Sequence, residues 1–156
     1  QLTAIQDCFK AASKYKIPII ADGGIRNSGD FSKALAAGAS TAMIGSMLAG
    51  TDEAPGEYIL EDGVGYKLYR GMASRDAADD KTKMDGSGDG AYRAPEGKSG
   101  RVSYRGRAKN VLDDFLAGLR SSMSYLGAKN LLSFQKNAKF IHVTTSSLRE
   151  SNTRIE

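Results

Sequence analysis

The chain has 156 residues, 40% hydrophobic and 26% charged, and its 22 Lys and Arg against 18 Asp and Glu leave a net charge of +4. The length fits one domain with a real core; a single cysteine excludes a disulfide framework, and a single histidine beside it argues against a zinc centre. No apolar run approaches the ~18 residues of a membrane span, the first 16 residues lack a signal-peptide layout, and basic residues interleaved with acids argue against nucleic acid, so a soluble, cytoplasmic protein is expected.

Ile5, Cys8, Phe9 and Ala12 recur at helical spacing and predict a helix over 3–16, with Cys8 packed into its apolar face. Residues 17–20, IPII, are a short apolar run bounded by turn residues. That is the pattern of a strand buried on both faces of a parallel sheet, and it runs into Asp22-Gly23-Gly24. A second helix is predicted over 28–37, with Ser28 as N-cap, Asp30 in the first turn and Gly38 just past its end. Thr41–Ile44 is a second short apolar run, and it meets Gly45-Ser46. Helix, strand, helix, strand, with a glycine-rich turn after each strand, is the order of an α/β parallel sheet.

After Gly50 the pattern changes. Residues 50–107 hold most of the glycines and only short β-like pieces, at 57–60, 66–70 and 101–104. Residues 75–90, RDAADDKTKMDGSGDG, are too polar to pack a core and read as a lid or a disordered insertion. Val111, Leu112, Phe115, Leu116 and Leu119 then form a helical stripe over 108–122. A shorter helix is expected near 128–136, a strand at FIHV, 140–143, with His142 facing outward, and a polar tail after it.

Ligands of parallel α/β folds bind at the carboxyl ends of the strands. Glycine lets backbone N–H groups approach phosphate oxygens, the Ser46 hydroxyl adds a donor, and the Asp22 carboxylate is suited to ribose hydroxyls. The same glycines also serve as tight turns and nothing more, and the residues alone leave both readings open.

The ordered motifs IPIIADGGIRNSGDFSKALAAGAS, IGSMLAGTDEAPGE, YRGMAS, PEGKSGRVSYRG, LAGLRSSMSYLGAKN and LRES resemble the C-terminal part of the IMP dehydrogenase/GMP reductase family. The resemblance covers nearly the whole chain apart from 75–90. It implies the C-terminal part of a (β/α)8 TIM barrel with a long mobile flap insertion. Since such barrels run to about 250 residues, only the last two barrel strands are expected here. The implied division is 1–50 for the last two βα units, 51–107 for the flap and β-like insertion, and 108–156 for the closing helices, short strand and tail.

By the same resemblance, Asp22 holds the ribose of a purine nucleoside monophosphate (IMP, GMP or XMP), and Gly23, Gly24, Gly45, Ser46 and Tyr69 bind its phosphate. Gly71, Met72 and Ala73 run beneath the base, and Glu96 faces it as the catalytic residue. Glu150, Ser151 and Asn152 match a monovalent-cation (K+) site, with Asn152 standing where the family carries histidine. A loop cysteine that attacks purine C2 would lie upstream of Gln1, so an N-terminal half of the same enzyme is an expected partner. NADP or NAD is the expected cofactor, and a homo-tetramer or octamer the expected assembly. Lys83-Met84-Asp85-Gly86 stands where dehydrogenases carry a water-activating Arg-Tyr pair, and Ala91–Lys98 resembles a reductase flap, whereas GRVSYRG and the tail resemble bacterial dehydrogenases. The balance favours NADPH-dependent reductive deamination of GMP to IMP. NAD-dependent oxidation of IMP to XMP and a non-catalytic nucleotide-binding fragment are the alternatives.

Overall fold

The computed structural model describes residues 1–71 and 99–150. In chain order it comprises helix α1 (Leu2–Ala12) with a 3₁₀ turn (Ser13–Tyr15), strand β1 (Ile20–Asp22), α2 (Ser28–Ala36), β2 (Thr41–Met43) and α3 (Ser46–Ala49). There follow β3 (Tyr58–Glu61), β4 (Val64–Arg70), β5 (Ser99–Ser103), α4 (Ala108–Tyr125), α5 (Leu131–Asn137) and α6 (Thr145–Glu150). β1 and β2 pair in parallel, with Asp22 opposite Met43. β3, β4 and β5 form a separate antiparallel sheet with β4 in the middle. The α/β class expected from the sequence is the one observed.

α2 is the hub of the helical layer. Asn27, in extended conformation, caps it by accepting the Asp30 amide at 2.8 Å. The cap is therefore Asn27 and not the predicted Ser28, which already lies inside the helix; the extended backbone at 27 aims that side chain at the free amides. Past the other end, Gly38 has φ 116°, and a Cβ there would lie 2.3 Å from the Phe9 ring. Only glycine both ends this helix and lets α1 seat Phe9 against it. Gly118 of α4 makes the same kind of approach to Ser28, where a Cβ would meet the serine Cβ at 2.3 Å. Beside that crossing Phe31 and Phe115 pack edge to face, with centroids 5.6 Å apart. The Gln135 side chain of α5 donates to the carbonyls of Leu35 and Ala39 at 3.1 and 3.2 Å, which ties α5 to the end of α2. Ile5, Ala21, Ile25, Leu35, Val111, Phe115 and Phe134 share the resulting core.

Several expectations are corrected. The first strand starts at Ile20, not at Ile17: Lys16 is left-handed with φ 55°, Pro18 has no N–H to give to a ladder, and cross-strand bonding begins where Ser40 donates to the Ile19 carbonyl at 2.8 Å. It is buried on one face only. Ala21 faces the helices, whereas Ile17 and Ile20 are 57% and 59% exposed, with no layer over them among the described residues. Cys8 is exposed. α1 buries Ile5, with Leu2 half-buried one turn before it; Phe9 lies against Gly38 yet stays 38% exposed, and Cys8 falls on the open side. α4 runs three residues beyond the predicted helix, and Leu112 and Leu116 of its stripe are exposed while Val111 and Phe115 are buried. Residues 140–143 form no strand; with no ladder partner, Ile141, His142 and Val143 stand exposed in irregular chain, and α6 occupies part of the predicted polar tail. The prediction for 75–90 lies outside the described residues.

Candidate functional site at two strand tips

The parallel register brings the carboxyl ends of β1 and β2 side by side, about 4.8 Å apart. Beyond β1, Gly23 and Gly24 have φ 87° and 74°. Two consecutive left-handed residues would cost L side chains about 1–2 kcal/mol each, so this turn requires the glycine pair. Gln1 closes over it: its side-chain amide donates to the Asp22 carbonyl, and its Oε1 lies 3.8 and 3.6 Å from where Cβ atoms of Gly23 and Gly24 would stand. Beyond β2, Gly45 caps α3 and accepts the amides of Leu48 and Ala49, both at 3.0 Å. The amides of Ser46 and Met47 precede those first helical bonds and point out of the helix start. A Cβ on Gly45 would lie 3.9 Å from the Tyr69 hydroxyl oxygen, so Tyr69 of β4 stands over this second tip. Asp22 and Ser46 are exposed, and Tyr69 is half-buried. The group offers backbone N–H groups, two hydroxyls and a carboxylate on one open edge, a donor set suited to a phosphate ester with a sugar beside it.

Tyr69 reaches that edge because residues 50–57 bolt the antiparallel sheet to the helical layer. Gly50 and Gly56 lie so close to β5 and β4 that Cβ atoms would stand 2.2 Å from the Ser103 carbonyl oxygen and 1.8 Å from that of Leu68. The Thr51 hydroxyl donates to the Leu48 carbonyl at 2.7 Å, the Arg105 amide to Gly50 at 2.8 Å, and the Asp52 amide to Gly106 at 2.9 Å. The Glu53 carboxylate accepts the Ala108 amide at the start of α4 at 2.7 Å. The Tyr104 hydroxyl donates to Asp52 at 2.6 Å, and its ring meets Tyr58 edge to face at 5.0 Å. The hydrogen bond to the Asp52 carboxylate, aided by desolvation and neighbouring negative charge, raises the Tyr104 pKa above its ordinary value of 10.0.

Two clefts lie in this part of the molecule, the first beside Gly23 and Gly24 and the second at the start of α2. One, of about 110 Å³, lies among Gln1, Gly23, Gly24, Asp30 and Lys33; the other, of about 420 Å³, lies among Arg26, Asn27, Met47, Arg105 and Asp114. Neither is lined by Ser46 or Tyr69, which sit on the open edge.

Of the predicted site residues, the structure brings together Asp22, Gly23, Gly24, Gly45, Ser46 and Tyr69, with Gly71 half-buried two residues past Tyr69. Met72, Ala73, Glu96, Ser151 and Asn152 lie outside the described residues, and Glu150 ends α6. Among the described residues no group of three or more His, Cys, Asp or Glu is placed to hold a metal ion, and no helix is long and apolar enough to cross a membrane. Gln1 and Lys67 are neighbours of the site that the sequence reading missed. Nothing in the sequence marks Gln1, but Lys67 carries a signal: it stands two residues before Tyr69 in a strand and so shares its face.

A parallel βαβ unit whose adjacent strand tips both turn on glycine is an α/β arrangement of the class in which ligands generally bind at the carboxyl ends of the strands. Residues 1–154 match the IMP dehydrogenase / GMP reductase domain, and the chain belongs to that family. It is 48% identical over 156 residues to inosine-5′-monophosphate dehydrogenase from Helicobacter pylori, covering 97% of this chain and 32% of that protein. It is 51% identical over 154 residues to the enzyme of the same name from Aquifex aeolicus, covering 97% of this chain and 31% of the relative. Its whole length superposes with a TM-score of 0.90 and 42% identity on 32% of a GMP reductase variant from Trypanosoma brucei, solved in complex with guanosine 5′-monophosphate. The chain thus spans about a third of the length of these relatives, and its fold is the corresponding part of a (β/α)8 barrel.

Proposed function

We propose that this chain is the nucleotide-phosphate end of a purine nucleoside monophosphate oxidoreductase, acting in the reductive deamination of GMP to IMP. One observation carries the reading: the two glycine-bearing tips are adjacent, and the Tyr69 hydroxyl stands over the second. In this reading the phosphate accepts from the Ser46 hydroxyl, the Tyr69 hydroxyl and the amides around Gly23, Gly24 and Gly45. Asp22 accepts from the ribose hydroxyls, and the backbone from Gly71 through Met72 and Ala73 carries the purine. Anchoring the phosphate and sugar fixes purine C2 relative to the attacking groups, the positioning that makes a bimolecular step effectively unimolecular.

The cysteine that would attack C2 is proposed to belong to an N-terminal portion upstream of Gln1. Glu96 is proposed to deliver the proton that lets the 2-amino group leave as ammonia. A nicotinamide dinucleotide, when bound, would supply the hydride that takes the place of the cysteine sulfur at C2, so that the C–S bond breaks and the thiolate is released with IMP. No described residue is assigned to hold that cofactor or K+. The reductase direction rests on Lys83-Met84-Asp85-Gly86, where a dehydrogenase needs an Arg-Tyr pair to activate water.

The second reading, oxidation of IMP to XMP, is favoured by the 48% and 51% identity to inosine-5′-monophosphate dehydrogenases against 42% to the reductase. Absorbance at 340 nm decides between them on protein that includes the N-terminal portion. NADPH oxidation that depends on GMP supports the reductase, and NAD reduction that depends on IMP overturns it. Nucleotide binding with neither reaction would leave a binding protein without the chemistry.

A further inference from the structure

Lys67 is 6% exposed, and no described residue forms an ion pair with it. Its ammonium instead donates to three backbone carbonyls of one turn: Thr51 at 3.0 Å, Asp52 at 3.5 Å, and Ala54. An ammonium has three N–H donors, and the turn offers it three carbonyls. Lys67 lies on the middle strand, opposite Tyr58 on β3 and Val102 on β5. Side chains two residues apart on a strand share a face about 6.6 Å apart, so Lys67 and Tyr69 project from the same side of β4. One grips the 51–54 turn that continues α3, and the other reaches Gly45 at the start of α3. The grip and the reach therefore fix β4 against the same short helix at its two ends.

We infer that Lys67 is a positioning residue for the phosphate site: by holding the 51–54 carbonyls it sets the Tyr69 hydroxyl over Gly45. This deepens the proposed function and rests on it, because it assumes that Tyr69 and Gly45 meet the phosphate. Lys67 touches no ligand itself.

The test is a double-mutant cycle on the GMP-over-guanosine affinity ratio, measured by calorimetry on the wild type, Lys67→Met, Tyr69→Phe and the double variant. The ratio isolates the phosphate's share of binding and is insensitive to a uniform loss of folded protein. Lys67→Met is expected to lower it roughly five- to tenfold, the worth of a hydrogen bond to a charged group, and to have little further effect once Tyr69 is Phe. Lys67→Arg, which keeps the charge and the donors, is expected to recover part of the ratio. If Lys67→Met does not fold, Lys67→Arg carries the cycle alone, with a smaller drop that again vanishes in the Tyr69→Phe background. A ratio unchanged by the Lys67 substitution, or lowered equally in both backgrounds, overturns the positioning role. Equal affinity of the wild type for GMP and guanosine overturns the phosphate-site reading itself, and this inference with it.

Discussion

At the residue scale the site depends on hydroxyls and on backbone exposed by glycine. Ser46 is exposed at the start of α3, so Ser46→Ala removes one donor without disturbing a core. Calorimetry is expected to show GMP binding weakened roughly two- to tenfold. Tyr104 gives a pH signature. Its folded pKa is raised above 10.0, so the protonated phenol, donating to Asp52, is the form the folded state favours. That contribution is complete below the unfolded value of about 10 and is lost as pH rises through the folded value. Thermal melting of the wild type is expected to fall more steeply than that of Tyr104→Phe over this alkaline range, and parallel curves would contradict a stabilising Tyr104–Asp52 hydrogen bond. The glycine pairs and Ser46 were legible in the sequence because their chemistry is local. Cys8 was misread because helical spacing places it beside Ile5 without telling how far round the helix the buried face extends, and here it extends little beyond Ile5.

At the element scale the helical layer stands on close crossings. Gly118→Val places a side chain where Ser28 already lies and is expected to destabilise the protein by about 1–3 kcal/mol in chemical denaturation. Phe115→Ala empties the edge-to-face contact with Phe31 and is expected to cost about 3–5 kcal/mol. Most elements were legible: the periodic stripes of α1 and α4, the end signals of α2 and the two glycine-ended runs predict the βαβ order found. The run at 140–143 was not, since a β-rich tetrapeptide becomes a strand only where a neighbour supplies a ladder, and none of the described strands lies beside it. The edges of β1 were missed for a related reason: Pro18 sits inside the apolar run and delays pairing until Ile20.

At the scale of the whole molecule the described residues form two sheets joined through one turn. The parallel pair supplies the strand tips, and the antiparallel sheet delivers Tyr69 to them. The turn at 51–54, held by Lys67, Tyr104, Gly106 and Ala108, fixes one against the other. This junction was invisible in the sequence because it consists of hydrogen bonds between residues up to 55 positions apart, which leave no periodic trace. The open face of β1 and β2, with Ile17, Ile20 and Met43 exposed, is expected to bind a hydrophobic dye such as ANS. Ile20→Lys should reduce the fluorescence with little change in melting temperature, and an unaltered signal would place the dye elsewhere.

The central claim is that a nucleotide's phosphate sits on the tips of β1 and β2. Amide chemical-shift mapping with GMP and with guanosine tests it most directly. GMP is expected to move the amides of Gly23, Gly24, Gly45, Ser46 and Met47 most, and guanosine, which lacks the phosphate, to move them far less. Equal shifts with both ligands, or the largest shifts far from these two turns, would contradict it.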